Sequence, residues 1–474
     1  MTAPAVAPLS SGASRRCLAI TFAVGLVLTA STVVVSTIPD LRFAGWPWTL
    51  AGVAALAVGL ATPVHRHAAA ELGARRVGVA ALAVLGLLVS LVATVHQTVT
   101  DDSATMAVAV VASAALLSLV LRWRGDESIV EAPTWFTPAV TAAALGAGVA
   151  WSLAASPGRG LTVAALLLVA AGPGALLAAS PAALRVARRS TAQHHVALPH
   201  PSALSQVAAA DVALLDKDGT VTSGALRVTA IDPVEPDHER NLRWFAGALE
   251  HEHEGRVARA ISRLSGRGRV TELQRHADVG VSGRVDRHPV RVGDLAWLGL
   301  PAHEGVWTTV GVEVDARVLG TLTVGDDVRA DAAEGVQALR DLGLDVALRS
   351  GDTDARTREV AAQVGIDDAA GDADAENQRG TVAAWTDAGR RVLHVSTGST
   401  LTADLGLVDL DVGRVARAVR AARGAVRSAR RGQSVALVWS VLAGAAAAAG
   451  LLGPGLAGIA AGVGVAATVV VAGS

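Results

Sequence analysis

Residues 211–224 read DVALLDKDGTVTSG, and this stretch decides the fold of the chain around it. An apolar run typical of a buried β-strand ends at Asp216, and a turn-forming segment of small and polar residues follows at once. In open α/β sheets, functional side chains lie where the strands end at their carboxyl side. A carboxylate there can attack a phosphoryl group, and Asp218 can pass a proton to the leaving group. An ordinary Asp-Gly turn after a strand is the alternative interpretation.

The soluble segment that contains this stretch lies between two blocks of apolar sequence. Eight stretches are apolar and long enough to cross a bilayer, which takes roughly 17 to 25 residues. They are 17–38, 46–63, 76–97, 105–123, 137–155, 160–180, 434–452 and 454–472. Between the sixth and seventh stretches, short apolar runs alternate with helical patterns. The sequence therefore predicts eight spans with a soluble α/β unit inserted between two membrane blocks.

The composition is that of a membrane protein and excludes several other classes. The chain has 474 residues, of which 51% are hydrophobic, and its formal net charge is -1. This charge gives no indication of nucleic-acid binding. The single cysteine, Cys17, excludes a disulfide framework and a cysteine-based zinc site. Lys217, inside the quoted stretch, is the only lysine of the sequence.

Arginines in the short loops predict the orientation in the membrane. Arg15 and Arg16 precede the first span, and Arg75 and Arg76 lie between the second and third. The positive-inside rule therefore predicts that both termini and the soluble unit are cytoplasmic, in a multi-pass protein of the plasma membrane. A cleaved signal peptide is the alternative for the first span.

A run of arginines precedes the seventh span. Residues 412–431 carry Arg414, Arg417, Arg420, Arg423 and Arg427 at near-helical spacing. A solvated helix on the cytoplasmic side explains this run most simply, and a site for anionic lipids is the alternative.

The stretch DKDGTVT at 216–222 resembles the phosphorylation motif DKTGTLT of the P-type cation-transporting ATPases. The resemblance is to their heavy-metal (type IB) branch, within the haloacid dehalogenase superfamily. Further strings follow in the family's order: GPGALLAASPAA (172–183) resembles CPCALGLATPTA, ALEHEHEGRVARAI (248–261) resembles SEHPLARAI, DVGVSGRVDRHPVRVGDLAWL (278–298) resembles GxGVxGxV, and residues 325–366 resemble the DxxRP and TGDN segments. The resemblance runs over almost all of residues 17–474.

The resemblance implies a membrane α-helical part, a haloacid-dehalogenase-like α/β phosphorylation domain and an inserted α+β nucleotide-binding-like domain. The expected boundaries are 1–16 cytoplasmic tail, 17–123 four transmembrane helices, 124–136 short loop, 137–180 two transmembrane helices, 181–202 linker, 203–224 with 322–411 phosphorylation domain, 225–321 nucleotide-binding-like domain, 412–433 basic helix and 434–473 two transmembrane helices.

The resemblance also implies a site and its cofactors, ATP and Mg²⁺. The catalytic group is Asp216, Asp218, Lys217, Thr220 and Ser350. The cofactor-binding group is Gly219, Glu254, Gly280, Gly283, Gly351 and Asp352. Mg²⁺ is assigned to Asp216 and Asp218.

Several departures from the family pattern concern the catalytic cycle. The short segment 124–136 stands where the family has its actuator domain. STGSTL at 396–401 stands where the family has the GDGxND loop, so that Thr397 replaces the Mg²⁺-binding aspartate; Asp404 is a possible substitute. Gln378 takes the place of the phosphate-orienting lysine. Loss of one electrostatic stabiliser commonly costs on the order of 10²- to 10³-fold in rate.

Other departures concern the two binding sites. Gly172 and Gly174 replace the metal-gripping cysteines around Pro173, and the last two spans contain no Asp, Glu, His, Asn, Cys or Met. No transmembrane ion site is therefore expected, and Pro173 predicts a broken or kinked helix. In the nucleotide signatures, Arg256 replaces the proline of HP and Asp278 replaces a glycine, while His251 or His253 could supply the histidine in a shifted register.

The second aspartate of DKDGT restores the DxD pattern of soluble phosphatases in the same superfamily. Three hypotheses follow. The first is a P-type ATPase family protein impaired or inactive as a pump. The second is a membrane pseudoenzyme that regulates a partner, such as a complete P-type ATPase. The third is a membrane-tethered phosphatase with Asp216 as nucleophile. The expected partner of the helices is the lipid bilayer, and no binding of nucleic acid is expected.

Overall fold

The computed structural model describes residues 12–101, 103–124, 128–192, 201–277, 279–303, 306–395 and 411–474. The chain divides into two compact units. The first unit is helical and takes in the chain up to residue 192 and again from residue 421 onward. The second unit, built from residues 206–420, carries the β-sheets.

The helical unit is a bundle of apolar helices whose small residues permit close packing. Its helices are α1 (Gly12–Thr37), α2 (Trp46–Leu60), α3 (Thr62–Gly73), α4 (Val79–Thr100), α5 (Met106–Arg124), α6 (Phe136–Ala154), α7 (Pro157–Ala170), α8 (Pro173–Ala192), the C-terminal part of α15 (Val412–Ala448) and α16 (Pro454–Ala472). A short helix, α9 (Pro201–Ala209), precedes the first strand.

The described helices do not confirm eight spans. Five are long and apolar enough to cross a membrane, or six if the bent pair α2 and α3 is one span. The two members of that pair meet at 53°. The described apolar stretch of α1, Ala23–Thr37, is shorter than a span, and the apolar end of α15 stops at Ala448. The number of spans was predicted from the length of apolar stretches alone, and this length does not show where a helix bends or ends.

The segment Pro157–Arg189 is broken in its middle. Helix α7 ends at Ala170 and α8 begins at Pro173, with Gly172 at φ 63° between them. Proline has no N–H to continue the hydrogen-bond ladder, and glycine adopts a positive φ without steric cost. The break lies at Pro173, where the sequence predicts one.

The first sheet of the second unit is parallel, in the order β10-β1-β8-β9. Its strands are β1 (Val212–Asp216), β8 (Asp345–Arg349), β9 (Asp368–Ala370) and β10 (Val392–Val395), with helices α12 (Ala332–Asp341), α13 (Asp354–Val364) and α14 (Ala375–Asp387) between them. Strand β1 is central, and its residues 212–215 are all buried. A continuous apolar run of this kind is typical of a strand covered on both faces.

The second sheet is antiparallel, in the order β2-β7-β6-β5-β4-β3. Its strands are β2 (Thr222–Pro233), β3 (Val270–His276), β4 (Gly280–Val285), β5 (His288–Gly293), β6 (Thr308–Val314) and β7 (Arg317–Val328), and helices α10 (Glu239–Glu250) and α11 (Arg256–Ser262) pack against it. The core between helices and sheet includes Leu242, Leu249, Ile261, Val281 and Val312. Strand β2 starts directly after the turn that follows β1, so the paired β2 and β7 connect this sheet to the first.

Candidate active site

The candidate site lies at the carboxyl edge of the parallel sheet. Strand β1 ends at Asp216, and its neighbour β8 ends at Arg349, directly before Ser350. Because β1 and β8 run in parallel, with Asp216 opposite Arg349, both ends reach the same edge. The sheet therefore brings together two segments that are far apart in the sequence.

The turn Lys217–Val221 gives the site its shape. Gly219 has φ 80° and ψ -7°, a left-handed conformation that a glycine adopts without strain. The Lys217 N–H donates a hydrogen bond of 2.8 Å to Oδ1 of Asp216. On the far side of the turn, Thr222 Oγ1 donates to the Lys217 carbonyl at 3.2 Å. These contacts fix the Asp216 carboxylate at the mouth of the turn.

Lys217 is the buried cation of the site, with a side chain only 1% exposed. Its ammonium donates hydrogen bonds to Asp326 and, at 2.6 Å, to Oδ2 of Asp352, and it lies 3.5 Å from Oδ1 of Asp218. Burial alone lowers the pKa of Lys217, but the hydrogen bonds to Asp326 and Asp352 outweigh it and the pKa is raised. Burial raises the pKa of Asp352, yet the bond to Lys217 and the Thr353 N–H bring it below its ordinary value. The lysine is therefore a charged structural partner.

The electrostatics of Asp216 differ from those of its neighbours. Burial raises the pKa of this carboxyl to about 6, the negative charge of Asp218 adds to the effect, and the Lys217 N–H and ammonium oppose it. The carboxyl of Asp216 is therefore about half ionised at pH 6 and mostly ionised only well above that pH.

Two hydroxyl groups complete the site. Thr220 is fully buried, and its Oγ1 has no hydrogen-bond partner among the described residues. Ser350 is 3% exposed, and its Oγ accepts a 3.1 Å bond from the Asp352 N–H. A buried hydroxyl without a partner is costly, so an anionic oxygen placed at Thr220 would satisfy it.

The donor chemistry of Asp216 and Asp218 suits a hard dication. The negative charge of Asp218 raises the pKa of Asp216, and Mg²⁺ prefers carboxylate oxygens. Within the described part of the chain, no group of three His, Cys, Asp or Glu side chains is arranged to hold a metal ion. The predicted loop at 396–401, with Thr397, and the candidate Asp404 lie outside the described residues. Strand β10, the neighbour of β1, ends at Val395, directly before that loop.

The structure brings together one set of the sequence-predicted residues. Around the turn and the end of β8 are Asp216, Lys217, Asp218, Gly219, Thr220, Ser350, Gly351 and Asp352. Glu254 is exposed and lies two residues before Arg256, in the segment between α10 and α11.

Two predicted cofactor-binding glycines have packing roles in β4. A Cβ on Gly280 would lie 2.3 Å from the carbonyl oxygen of Val292 and 3.1 Å from the ring of Trp297. A Cβ on Gly283 would lie 3.0 Å from Leu249 of α10. Close approach of the backbone therefore requires glycine at position 280, and Gly283 packs tightly against α10. The two histidines that could supply the signature histidine in a shifted register also make hydrogen bonds, His251 with the Ser265 carbonyl oxygen and His253 with Glu250.

Three residues at the site were missed from the sequence. Asp326 on β7 is the buried partner of Lys217. Arg256 lies 3.9 Å from Asp218, and Arg356 lies 3.6 Å from Asp352 while donating to the Val306 carbonyl. A charged residue within the buried stretch of β7 was the one available signal for Asp326. The two arginines come close only through the fold.

Comparisons with known proteins show what the chain is similar to. The family model of haloacid dehalogenase-like hydrolases matches residues 210–396. The cation-transporting P-type ATPase B of Mycobacterium tuberculosis is 34% identical over 368 residues, 69% of this chain and 49% of the relative. A copper-exporting P-type ATPase of the same organism is 32% identical over 361 residues, 69% of this chain and 47% of the relative. The chain spans about half the length of the curated relatives it matches.

A solved structure has the same fold. The crystal structure of a zinc-transporting PIB-type ATPase in its E2.Pi state matches with a TM-score of 0.77 at 16% identity, covering 96% of this chain and 99% of that chain. The chain carries a haloacid dehalogenase-like hydrolase domain and is a membrane protein homologous to the heavy-metal P-type cation-transporting ATPases.

Proposed function

We propose that this protein is a membrane-bound phosphohydrolase that has lost ion pumping and that works through an aspartyl phosphate on Asp216. The observation that carries the proposal is the buried, unpartnered Oγ1 of Thr220 in the turn that Asp216 begins. The site thus combines a carboxylate nucleophile, hydroxyl donors for phosphoryl oxygens and a second carboxylate, Asp218, in place of the family's threonine.

The chemistry follows from these positions. A carboxylate oxygen of Asp216 attacks the phosphorus, the bond from phosphorus to the leaving oxygen breaks, and Asp218 donates its proton to that oxygen. Water then attacks the aspartyl phosphate, Asp218 takes a proton from the water, and inorganic phosphate leaves with Asp216 regenerated. Thr220 and Ser350 hold the phosphoryl oxygens meanwhile. Mg²⁺ held by the Asp216 carboxylate would neutralise the charge of the phosphoryl group, while the Asp218 carboxyl carries the proton.

The break between α7 and α8 in the helical unit supports the loss of ion pumping. The cavity beside Gly172, Pro173 and Gly174 is lined by alkyl groups and glycines, and Ser113 is the polar side chain in its lining. Transition-metal ions in proteins are bound by thiolate, thioether, imidazole or carboxylate groups. None of these groups lines this cavity. The segment between α5 and α6, residues 125–135, is also too short for an actuator domain.

The domain roles follow the same proposal. The parallel sheet with its helices serves as the phosphorylation domain, and the antiparallel sheet with α10 and α11 serves as a nucleotide-binding-like domain. ATP and Mg²⁺ are the cofactors that the relatives imply. The arginine distribution favours the plasma membrane, with the soluble unit and both termini in the cytoplasm.

The test uses the full chain in lipid nanodiscs. Hydrolysis of p-nitrophenyl phosphate and of ATP is measured with Mg²⁺, beside Asp216→Asn as the inactive control. We expect slow hydrolysis that Asp216→Asn abolishes, and no Zn²⁺ or Cu⁺ stimulation. Asp216-independent hydrolysis would contradict the assignment of the nucleophile. Metal-dependent ATP hydrolysis together with metal uptake into vesicles would contradict the loss of pumping.

A pseudoenzyme that regulates a partner in the membrane is the second candidate. The observation that favours it is the position of Lys217, whose ammonium holds Asp326 and Asp352 and so keeps two carboxylates from a metal ion. This candidate predicts that phosphate compounds bind but are not hydrolysed. Phosphate-dependent thermal stabilisation without turnover would favour it.

A further inference from the structure

Two of the departures from the family strings contact each other in the fold. Asp218 replaces the threonine of DKTGT, and Arg256 replaces the proline of the nucleotide signature. The guanidinium of Arg256, at the start of α11, lies 3.9 Å from Oδ2 of Asp218. Asp218 lies in the turn after β1 and Arg256 begins α11, so only the fold brings the two residues together.

This pair does little to hold the fold together. The side chains of Arg256 and Asp218 are 55% and 44% exposed. Exposed ion pairs contribute between nothing and about 1 kcal/mol, because water and salt screen them. The position of Arg256 therefore needs an explanation other than stability.

In the proposed hydrolysis, Arg256 lies on the side of the leaving group, because it is next to Asp218. Thr220 and Ser350 are the donors for the phosphoryl oxygens, whereas Asp218 serves the oxygen that departs. A cation next to Asp218 therefore faces whatever is attached to that oxygen. Guanidinium groups bind phosphate and carboxylate oxygens through two parallel hydrogen bonds.

Two other cations of the site already have hydrogen-bond partners. The Lys217 ammonium is buried and bonded to Asp326 and Asp352. Arg356 donates to the Val306 carbonyl and to Thr308 while it lies near Asp352. Arg256 differs from these two cations in exposure, since its side chain is 55% exposed and its guanidinium lies 3.9 Å from Asp218.

We propose that Arg256 is a specificity-determining residue that binds a second anionic group on the leaving group of the substrate. The substrate class is then a phosphate ester or anhydride whose leaving group itself carries a phosphate or carboxylate. When that group binds Arg256, it takes the place of the Asp218 carboxylate, which turns to the departing oxygen. The inference rests on the proposed hydrolase for its kinetic form, but the binding it requires does not depend on turnover.

The kinetic test compares two substrates in the full chain in nanodiscs. Pyrophosphate has an anionic leaving group, and p-nitrophenyl phosphate has none beyond the departing oxygen. We expect Arg256→Gln to raise the ratio of the KM for pyrophosphate to the KM for p-nitrophenyl phosphate about tenfold or more. Arg256→Lys should recover part of the difference. Arg259→Gln, an exposed arginine of the same helix, should leave the ratio unchanged. An unchanged ratio in Arg256→Gln would overturn the proposal.

The binding test separates this proposal from the proposed hydrolase. Asp216→Asn protein is titrated with pyrophosphate and with inorganic phosphate by calorimetry, with and without Arg256→Gln. We expect tighter binding of pyrophosphate, by about tenfold, and loss of that preference in Arg256→Gln. Equal affinities before the substitution would refute the role of Arg256 even if hydrolysis is confirmed. A preference that depends on Arg256 would support it even if no hydrolysis is found.

Discussion

The ammonium nitrogen of Lys217 lies 2.6 Å from Oδ2 of Asp352 and donates a second hydrogen bond to Asp326. One buried cation thus joins the turn after β1 to the end of β8 and to β7. The lysine sits in the motif that the sequence singles out, but its contacts show that it holds the site together from within. Its removal therefore tests the architecture of the site separately from the chemistry at Asp216.

Lys217→Met should strongly destabilise the protein. It leaves Asp326, whose side chain is 2% exposed, without its cation. Loss of one partner of a buried ion pair costs about 3–5 kcal/mol, because the remaining charge is uncompensated. Chemical denaturation of the full chain in nanodiscs measures the change in the free energy of unfolding of the soluble unit.

The Lys217 experiment has two matched controls. Arg340→Met removes the partner of the fully exposed Asp367 and should change stability by less than about 1 kcal/mol. Adding Asp326→Asn to Lys217→Met removes the orphaned charge and should restore part of the loss. Equal stability of Lys217→Met and Arg340→Met would show that the buried pair does not hold the site.

Asp216→Asn should stabilise the protein at alkaline pH. Burial raises the pKa of Asp216 from 3.8 to about 6, so the ionised form is disfavoured in the folded state. The stability that this group contributes is complete below pH 3.8 and is lost as the pH rises through 6. A neutral asparagine avoids that loss, by up to about 3 kcal/mol. Thermal unfolding at pH 8 and pH 5 should show an advantage that shrinks at the lower pH.

Asp211→Asn is a control for which the opposite change in stability is expected. Burial raises the pKa of Asp211, but the Arg391 N–H and the Arg390 guanidinium outweigh it and the pKa is lowered. Its stabilisation is present at pH 8 and is lost as the pH falls below the ordinary range of an aspartate. Asp211→Asn should therefore lower stability at pH 8. A destabilised Asp216→Asn at both pH values would contradict the raised pKa.

The local parts of the site could be predicted from the sequence, and the long-range parts could not. A buried apolar run that ends at Asp216 and a turn that contains Gly219 are properties of neighbouring residues. The contact between Lys217 and Asp326 joins residues 109 positions apart. It depends on the pairing of β2 with β7, including two register irregularities in that pair. No periodicity in the sequence contains that information.

A glycine that the sequence assigned to a ligand also has a packing role in the structure. Gly280 stands in a string that resembles a nucleotide signature. The position where a Cβ would stand is close to the Val292 carbonyl oxygen and the ring of Trp297. Glycines serve close backbone approach and ligand binding alike, and only the neighbours distinguish the two. The eight predicted spans are not confirmed among the described residues, since apolar length alone does not record where a helix bends or ends.

Gly280→Ala should destabilise the antiparallel sheet. Its φ of 155° is strained for alanine, and the new Cβ would lie 2.3 Å from the Val292 carbonyl oxygen and 2.6 Å from Gly293 Cα. Backbone strain alone costs about 1–3 kcal/mol, and the contacts with backbone atoms add to it. Gly266→Ala, where nothing lies within 4 Å, should be neutral. Denaturation of both variants decides between the roles, since a purely ligand-binding Gly280 would leave stability unchanged.

Thr220→Val should weaken phosphate binding without loss of stability. The Oγ1 of Thr220 is buried and has no partner among the described residues, so the folded protein loses no hydrogen bond when valine replaces it. Removal of an unsatisfied buried hydroxyl is neutral or stabilising. A hydrogen bond to a charged phosphate oxygen contributes more than a neutral one, and its loss should lower affinity about tenfold. Stabilisation of the thermal transition by increasing phosphate or orthovanadate measures that affinity.

Thr222→Val is the matched comparison, two residues along the same segment. Thr222 is fully buried, and its Oγ1 donates to the Lys217 carbonyl at 3.2 Å and accepts from the Gly224 N–H at 3.4 Å. Its replacement removes contacts that hold the turn and should cost about 0.5–1.5 kcal/mol per bond, while phosphate affinity changes by less than about twofold. The two variants thus have opposite expected signatures, one in binding and one in stability. If Thr220→Val lowers stability and leaves phosphate affinity unchanged, its hydroxyl serves the fold, and the phosphoryl site built around Asp216 loses its main support.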